Sequence, residues 1–415
     1  MKFALVILHA DPSRGGAERY THDLAVALAE RGHEVTLLSA SDSTSEVLRA
    51  SPPLVLRGRV RARADQASDF NSNPNANPHP CPPPEYQGRG KEIRIVKLCM
   101  NGMTRTRRYR SFLKSLDAHL ASTHYDIVHA MLPVHQCDLY HPHAGLAESS
   151  VKHARGRKRL VNLLNPRRAA FASVERALLS GPDAPIVLCL SQRMREQVLT
   201  DTPCSPDHAA VLFNAVDLNR FQPTQRIPHD RLRALVIAQD FARKGVKQAI
   251  EAVARVPDCL LTIAGGDHAA PYQRLTTALG ISDRVKFIGP VADVRPLYHA
   301  ADVFVLPTFH DPCSLVVLES LASGLPVIST RANGACEIMI DGVHGFVLED
   351  ANDVAALAAA LEKMRDPSRR ALMADACVAL RDKLSFDAHI AALLGIATGR
   401  ISGGGVASRD SNADR

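Results

Sequence analysis

At 415 residues, with 46% hydrophobic and 22% charged residues, the sequence has a water-soluble globular balance and length for two domains with separate cores. Nine scattered cysteines, odd in number and without a CxxC pair, argue against a disulfide framework and a zinc site, and no apolar run is long enough to span a bilayer. The net charge of +7 calls for an anionic partner, but 5% aromatic residues, no tryptophan and no recognition motif argue against nucleic acid.

The chain opens on an apolar run over residues 3–8. It predicts a parallel strand covered on both faces, because no small-residue cleavage pattern follows as a secretory signal would require. The scattered, unpaired cysteines make the cytoplasm the expected compartment. Residues 11–16 predict a loop and 17–31 a helix with Leu24, Ala27 and Leu28 on one face. Gly32 is placed to cap that helix, and 34–39 predict a second strand. This strand–helix–strand opening is that of a doubly wound sheet. Residues 61–91 contain DFNSNPNANPHPCPPPEYQGRG, too rich in Pro and Asn to pack a core, and predict a disordered surface insertion. Strands follow at 93–98, 126–129 and 186–190.

Prolines and charges over 219–230 read as a linker. A second series then runs strand 234–238, helix 245–256, strands 260–264, 285–288 and 303–306, helix 314–323 and strand 326–330. Val246, Ala249, Ile250 and Val253 form one apolar stripe on its first helix. The expected architecture is α/β: two Rossmann-like domains, 1–218 and 230–385, facing across a cleft. A helix over 386–398 is expected to return to the first domain, followed by a disordered tail at 399–415.

Two short stretches carry the chemistry. In DPCSLVVLESLASGLPVIST, residues 311–330, Asp311 lies just before a helix and Glu319 falls on its second turn. Eight residues at 1.5 Å rise separate them by about 12 Å, too far to share a proton but suited to holding two ends of an elongated ligand. The helix start between them, over Pro312, Cys313, Ser314, Leu315 and Val316, offers free amides and a positive dipole end to a phosphate. An N-cap aspartate with a solvated glutamate would give the same spelling. In DFARKGV, residues 240–246, Arg243 and Lys244 stand before a helix N-terminus. There they oppose its dipole by about 0.3–1 kcal/mol each unless an anion intervenes; two solvated side chains on a turn are the alternative.

Weaker signals surround these. Gly15 and Gly16 sit between the first strand and helix, where a backbone can approach a ligand or simply turn. His129, His135, Asp138, His141 and His143 crowd one stretch as cleft groups or as ordinary loop and core histidines, with no carboxylate or cysteine pattern completing a metal site. The segment 152–168 places Lys152, Arg155, Arg157, Lys158, Arg159, Arg167 and Arg168 around Leu160, Val161, Leu163 and Leu164. That pattern suits an anionic membrane surface or a solvated helix.

Taken together these residues resemble glycosyltransferase family 4, the retaining enzymes of GT-B fold, and within it the lipopolysaccharide core glucosyltransferase I family. Phe241, Arg243, Lys244, Gly245 and Val246 match its FxRKGV element, and Glu319, Gly324, Leu325, Pro326 and Val327 its carboxylate-plus-LPV element. The resemblance implies a metal-independent hexosyltransferase with no cofactor, using a nucleotide-sugar donor, a UDP-sugar above all. It implies a cell-envelope glycan or glycolipid acceptor such as a lipopolysaccharide core.

In its terms Arg243 and Lys244 neutralise the departing diphosphate, Glu319 holds the ribose and Asp138 serves the acceptor. Asp311 stands where the family has the Glu that contacts the donor sugar, and Ser314 where it has Gly. The basic segment is where the family docks on the inner face of the plasma membrane. The implied chemistry is a front-face displacement in which the leaving phosphate helps deprotonate the acceptor. Two alternatives keep the fold: a sugar phosphorylase or synthase, and a catalytically silent nucleotide-sugar-binding protein. A nicotinamide-dependent dehydrogenase is disfavoured, since GxGxxG with a following acidic residue is missing.

Overall fold

The computed structural model describes residues 1–41, 93–147, 165–224 and 229–403. The expected insertion at 61–91, most of the basic segment 152–168 and the tail beyond 403 lie outside the described residues. Thirteen strands among the described residues form two wholly parallel sheets.

The first sheet contains β1 (Lys2–Val6), β2 (Glu34–Ser41), β3 (Arg94–Cys99), β4 (Ile127–Ala130), β5 (Leu139–Tyr140), β6 (Ile186–Cys189) and β7 (Ala209–Val211), in the order β3-β2-β1-β4-β5-β6-β7. Its helices are α1 (Gly16–Glu30), α2 (Arg105–Ser122), α3 (Pro166–Ser180) and α4 (Gln192–Asp201). β1 pairs with β2 from Lys2–Glu34 and with β4 from Phe3–Ile127, so Phe3, Ala4, Leu5 and Val6 are covered on both faces and have no solvent exposure. α1 buries Leu24, Ala27 and Leu28 and ends at Gly32, whose φ of 86° is left-handed. The amides of Gly32 and His33 return to the carbonyls of Ala29 and Leu28, a Schellman close that glycine makes accessible.

The second sheet holds β8 (Leu232–Ile237), β9 (Cys259–Ala264), β10 (Val285–Gly289), β11 (Val303–Leu306), β12 (Val327–Thr330) and β13 (Gly345–Leu348), in the order β10-β9-β8-β11-β12-β13. Around it lie α5 (Val246–Arg255), α6 (Ala270–Ala278), α7 (Arg295–Ala300), α8 (Leu315–Ala322), α9 (Val354–Lys363), α10 (Pro367–Ala379) and the short α11 (Arg381–Leu384). The stripe on α5 is buried as its period requires: Val246, Ala249, Ile250 and Val253 are all at most 1% exposed.

The last helix, α12 (Phe386–Gly403), leaves the second domain and lies on α1. Tyr20 and His389 share a 2.6 Å hydrogen bond, and Arg31 pairs with Asp387. α12 runs through Gly403, past the expected end at 398. A single glycine at 399 costs a helix only about 1 kcal/mol, and no proline stands there to stop it.

In both sheets the strand order reverses, between β1 and β4 and between β8 and β11. Crevices beyond the strand carboxyl ends at such reversals are where open α/β sheets bind ligands.

Candidate active site

The reversal in the second sheet brings together the two stretches that the sequence singles out. After β8 the chain turns through residues 240–245 into α5; after β11 it turns through 307–314 into α8. Gly245 makes this meeting possible. Its φ is 73°, and a Cβ there would lie 2.1 Å from the Pro307 carbonyl oxygen, so no other residue lets the two loops lie this close.

Lys244 is buried, and its ammonium forms an ion pair with the equally buried Asp311. Arg243 is exposed; its Nε donates to Asp240 at 3.2 Å and its Nη1 to the His310 carbonyl at 3.0 Å. Burial, with the charges of Arg193, Arg243 and Lys244, holds the His310 imidazole below its ordinary pKa against the pull of Asp311. The corner thus gathers three cations, two of them already paired with the carboxylates Asp240 and Asp311.

At the start of α8, Ser314 makes no side-chain cap, and its own amide donates to Asn333 Oδ1 at 3.2 Å. The amides of Leu315 and Val316 have no protein acceptor among the described residues, leaving the dipole end of α8 open toward the cleft. Cys313 is buried and its carbonyl accepts from Asn214 Nδ2 at 3.0 Å; burial pushes its thiol far above the usual range, so it is inert. Pro312 lines the crevice beside Asp311.

Glu319 lies one turn further on, partly buried. Removal from water pushes its carboxyl up to about 7, while a hydrogen bond from Tyr298 and the charge of Arg19 act in the opposite sense. Tyr298 Oη donates to Glu319 Oε2 at 2.8 Å, with the Val316 carbonyl at 3.2 Å. Tyr298, a fully buried residue of α7, was not visible as a site residue in sequence: its spelling is that of any core aromatic.

The first domain faces this corner closely. A Cβ on Gly16 would come within 3.1 Å of Leu315 Cδ1, so space rather than backbone conformation keeps the position small; Gly15 is extended, with φ of 179°. Glu319 feels Arg19 and Asp23 of α1. Gly145, Ser191 and Arg193 from the first domain line a narrow crevice with His310, Asp311 and Pro312 from the second. A wider cavity of about 610 Å³ lies nearby, bordered by Arg193, Glu196 and Phe213 on one side and Arg331, Cys336 and Met339 on the other.

One carboxylate bridges the domains. Glu337 accepts from the Gln192 and Arg193 amides at the N-terminus of α4, at 2.6 and 2.9 Å. Arg193 Nη1 donates back to the Arg331 carbonyl at 3.1 Å. Neither Glu337 nor Asn214 stood out in sequence, because helix capping across domains has no local spacing.

Asp138 does not join this constellation. It precedes β5 and sits opposite Val128, whose amide donates to its Oδ2 at 2.8 Å, below the strand ends that face the cleft. The reason is local: two-residue β5 starts one position later, and Asp138 completes the ladder with β4.

The histidines divide. His135 is exposed and pairs with Asp117 at 2.7 Å. His129 and His141 are fully buried and stacked, 5.4 Å between ring centres, and His143 continues the stack toward Tyr20. Burial drives all three below the ordinary histidine range, His129 to about 3, so they are neutral. Among the described residues no group of three or more His, Cys, Asp or Glu is arranged to hold a metal ion, and no helix is long and apolar enough to cross a membrane.

Two family models divide the chain between them: Glycosyltransferase Family 4 matches residues 14–220 and Glycosyl transferases group 1 matches 219–376. They abut at the segment that joins the two sheets. The chain belongs to glycosyltransferase family 4.

Its curated family relatives include the lipopolysaccharide core biosynthesis glycosyltransferase LpsE of Rhizobium meliloti (strain 1021). The two are 39% identical over 150 residues, 36% of this chain and 44% of that protein. The lipopolysaccharide glucosyltransferase WaaG of Escherichia coli (strain K12) is 33% identical over 121 residues, 28% of this chain and 32% of that one. The chain thus spans under half the length of these two relatives. In fold the likeness is nearly complete. The crystal structure of WaaG, a glycosyltransferase involved in lipopolysaccharide biosynthesis, superposes with a TM-score of 0.69 over 93% of this chain and 98% of that one, at 21% identity. Anabaena Alr3699/HepE in complex with UDP and glucose gives 0.66 over 96% and 100%, at 17%. The fold is GT-B.

Proposed function

We propose that this chain transfers a hexosyl group from a nucleoside-diphosphate sugar to a cell-envelope glycan or glycolipid, with retention of configuration and without a metal. The observation that carries it is the convergence of Arg243, Lys244 and the open amides of Leu315 and Val316 at one sheet reversal, with Glu319 further along α8. A diphosphate at that corner meets two cations and a helix dipole. Charge that develops on the departing nucleotide is then met by groups already in place, the arrangement that lowers barriers most. Glu319 offers two oxygens to the ribose hydroxyls.

UDP-glucose is the donor favoured here, supported by the HepE complexes of the same fold. A lipopolysaccharide core as acceptor rests on the names of LpsE and WaaG. Attack from the face that the diphosphate leaves lets a phosphate oxygen take the acceptor proton, so no separate base is required. Closure of the two domains keeps water from the donor. The basic segment 152–168, with Arg167 and Arg168 at the start of α3, suits docking on an anionic membrane face, where such acceptors reside.

The test is a thermal-shift and slow-hydrolysis panel of UDP-, GDP- and ADP-sugars, with and without a chelator. Stabilisation by one nucleotide family, insensitive to chelator, is expected. Lys244→Ala strands the buried Asp311 carboxylate and should lower the melting temperature, but at a temperature where the variant is still folded it should cut sugar release about 100- to 1000-fold. A folded protein that responds to no donor fits the silent binding protein instead.

A further inference from the structure

We propose that Asp311 is a positioning residue, the counterion that holds Lys244 for the donor diphosphate, rather than a ligand of the donor sugar. The inference rests on the donor-site reading above and assigns one residue within it a different task.

The backbone fixes Asp311 on both sides. Its amide donates to the Ala332 carbonyl at 3.0 Å, and its carbonyl accepts from Gly334 at 2.9 Å. Gly334 lies so close that a Cβ there would stand 1.9 Å from the Pro312 carbonyl oxygen. The loop before α8 is thereby tied to the loop after β12, and a side chain with one methylene has little freedom to reach outward. Its carboxylate ends on the Lys244 ammonium.

Lys244 has equally little choice. Only 9% exposed, its ammonium requires a partner, because an unpaired buried charge is strongly unfavourable. Arg243 differs: its carboxylate partner, Asp240, is exposed and lies on the same loop, so an incoming phosphate exchanges with it freely. Around the pair stand Arg243 with its own partner Asp240, the His310 imidazole, and, at the domain rim, Arg193 and Glu337.

A lysine ammonium has three donors, so it can keep Asp311 and grip a phosphate oxygen at once. Asp311 then sets where the ammonium points, and its negative charge moderates how tightly the diphosphate is held. A residue whose carboxylate is committed to Lys244 in this way acts on the phosphate even when no sugar is attached. A sugar ligand does not.

The discriminating measurement is calorimetric affinity for UDP, uridine and UDP-glucose in wild type and Asp311→Asn, with GDP and ADP as stand-ins should the base differ. Removing the charge while keeping an acceptor oxygen should tighten UDP binding about three- to tenfold at low salt and leave uridine unchanged. In the Lys244→Met background the same substitution should no longer affect UDP. Should the asparagine variant fail to fold, Asp311→Ser makes the same comparison.

Unchanged UDP affinity with weakened UDP-glucose binding would overturn the inference in favour of a sugar ligand. An equal gain in the Lys244→Met background would overturn it in favour of direct repulsion. A wild-type protein that binds none of UDP, GDP or ADP removes the donor-site reading itself, and the inference with it.

Discussion

The Glu319 carboxyl is balanced between two environments, and that balance has a measurable consequence. Burial raises its pKa to about 7, while the Tyr298 hydroxyl donates to it and holds it lower than burial alone would. Below about 7 the protonated form prevails; above it the carboxylate, the better acceptor for two ribose hydroxyls, takes over. Nucleotide affinity should therefore rise with pH through this range. In Tyr298→Phe the lowering hydrogen bond is gone, so the midpoint moves up. UDP affinity near neutrality should then fall about three- to tenfold and recover at higher pH. Calorimetry across neutral pH reads both effects; flat profiles in both proteins would remove Glu319 from the ribose role. Glu319 was legible as a candidate because carboxylate and helix start share one local spacing. Tyr298 was not, since its hydroxyl finds the carboxylate only once α7 packs on α8.

At the scale of elements, strands and helices with uninterrupted apolar patterns were legible to within a residue or two. The expected strand at 303–306 and β11 coincide, and the helix expected at 314–323 is α8 with one residue fewer at each end. What sequence did not reveal were helices such as α4, whose polar composition leaves only Met194 and Val198 as an apolar stripe, and the way separate elements are tied together. Arg381 of α11 is the clearest tie. Its Nη1 donates to the carbonyls of Phe221, at 2.6 Å, and Ala322, and its Nη2 to that of Leu218 at 2.9 Å. One guanidinium thus joins the segment between the sheets, the end of α8 and the start of the path back to the first domain. Arg381→Met keeps the stem and strands three carbonyls, each worth about 1–3 kcal/mol where water cannot replace the donor. Partial hydration reduces the total, and a loss of several degrees in melting temperature is expected. Calorimetric unfolding with wild-type stability would show that water satisfies those carbonyls as well as the arginine does.

For the whole molecule, the two-domain α/β class follows from two strand–helix series separated by prolines and charges. The relation between the domains does not, because every contact that sets it joins residues far apart in sequence. Glu337 is the instructive case. Its two oxygens cap the amides of Gln192 and Arg193, so the second domain supplies the anion that the dipole of α4 in the first lacks. The contact sits on the rim of the cleft beside Arg331 and Met339, in solvent, where a single such link is weak enough to break and reform during turnover. The proposed transfer, which admits a donor and then excludes water, calls for a closing contact of that strength. Glu337→Ala should shift the ligand-free protein toward a more open arrangement, seen as a larger radius of gyration in small-angle scattering. UDP affinity should weaken about three- to tenfold, because binding must now close the domains without that link. The local fold of α4 keeps its own cap, Ser191 on the Met194 amide, so melting temperature should change little. Unchanged scattering and affinity would mean that Asn214, Gly16 and the α12 return hold the domains together without help from Glu337.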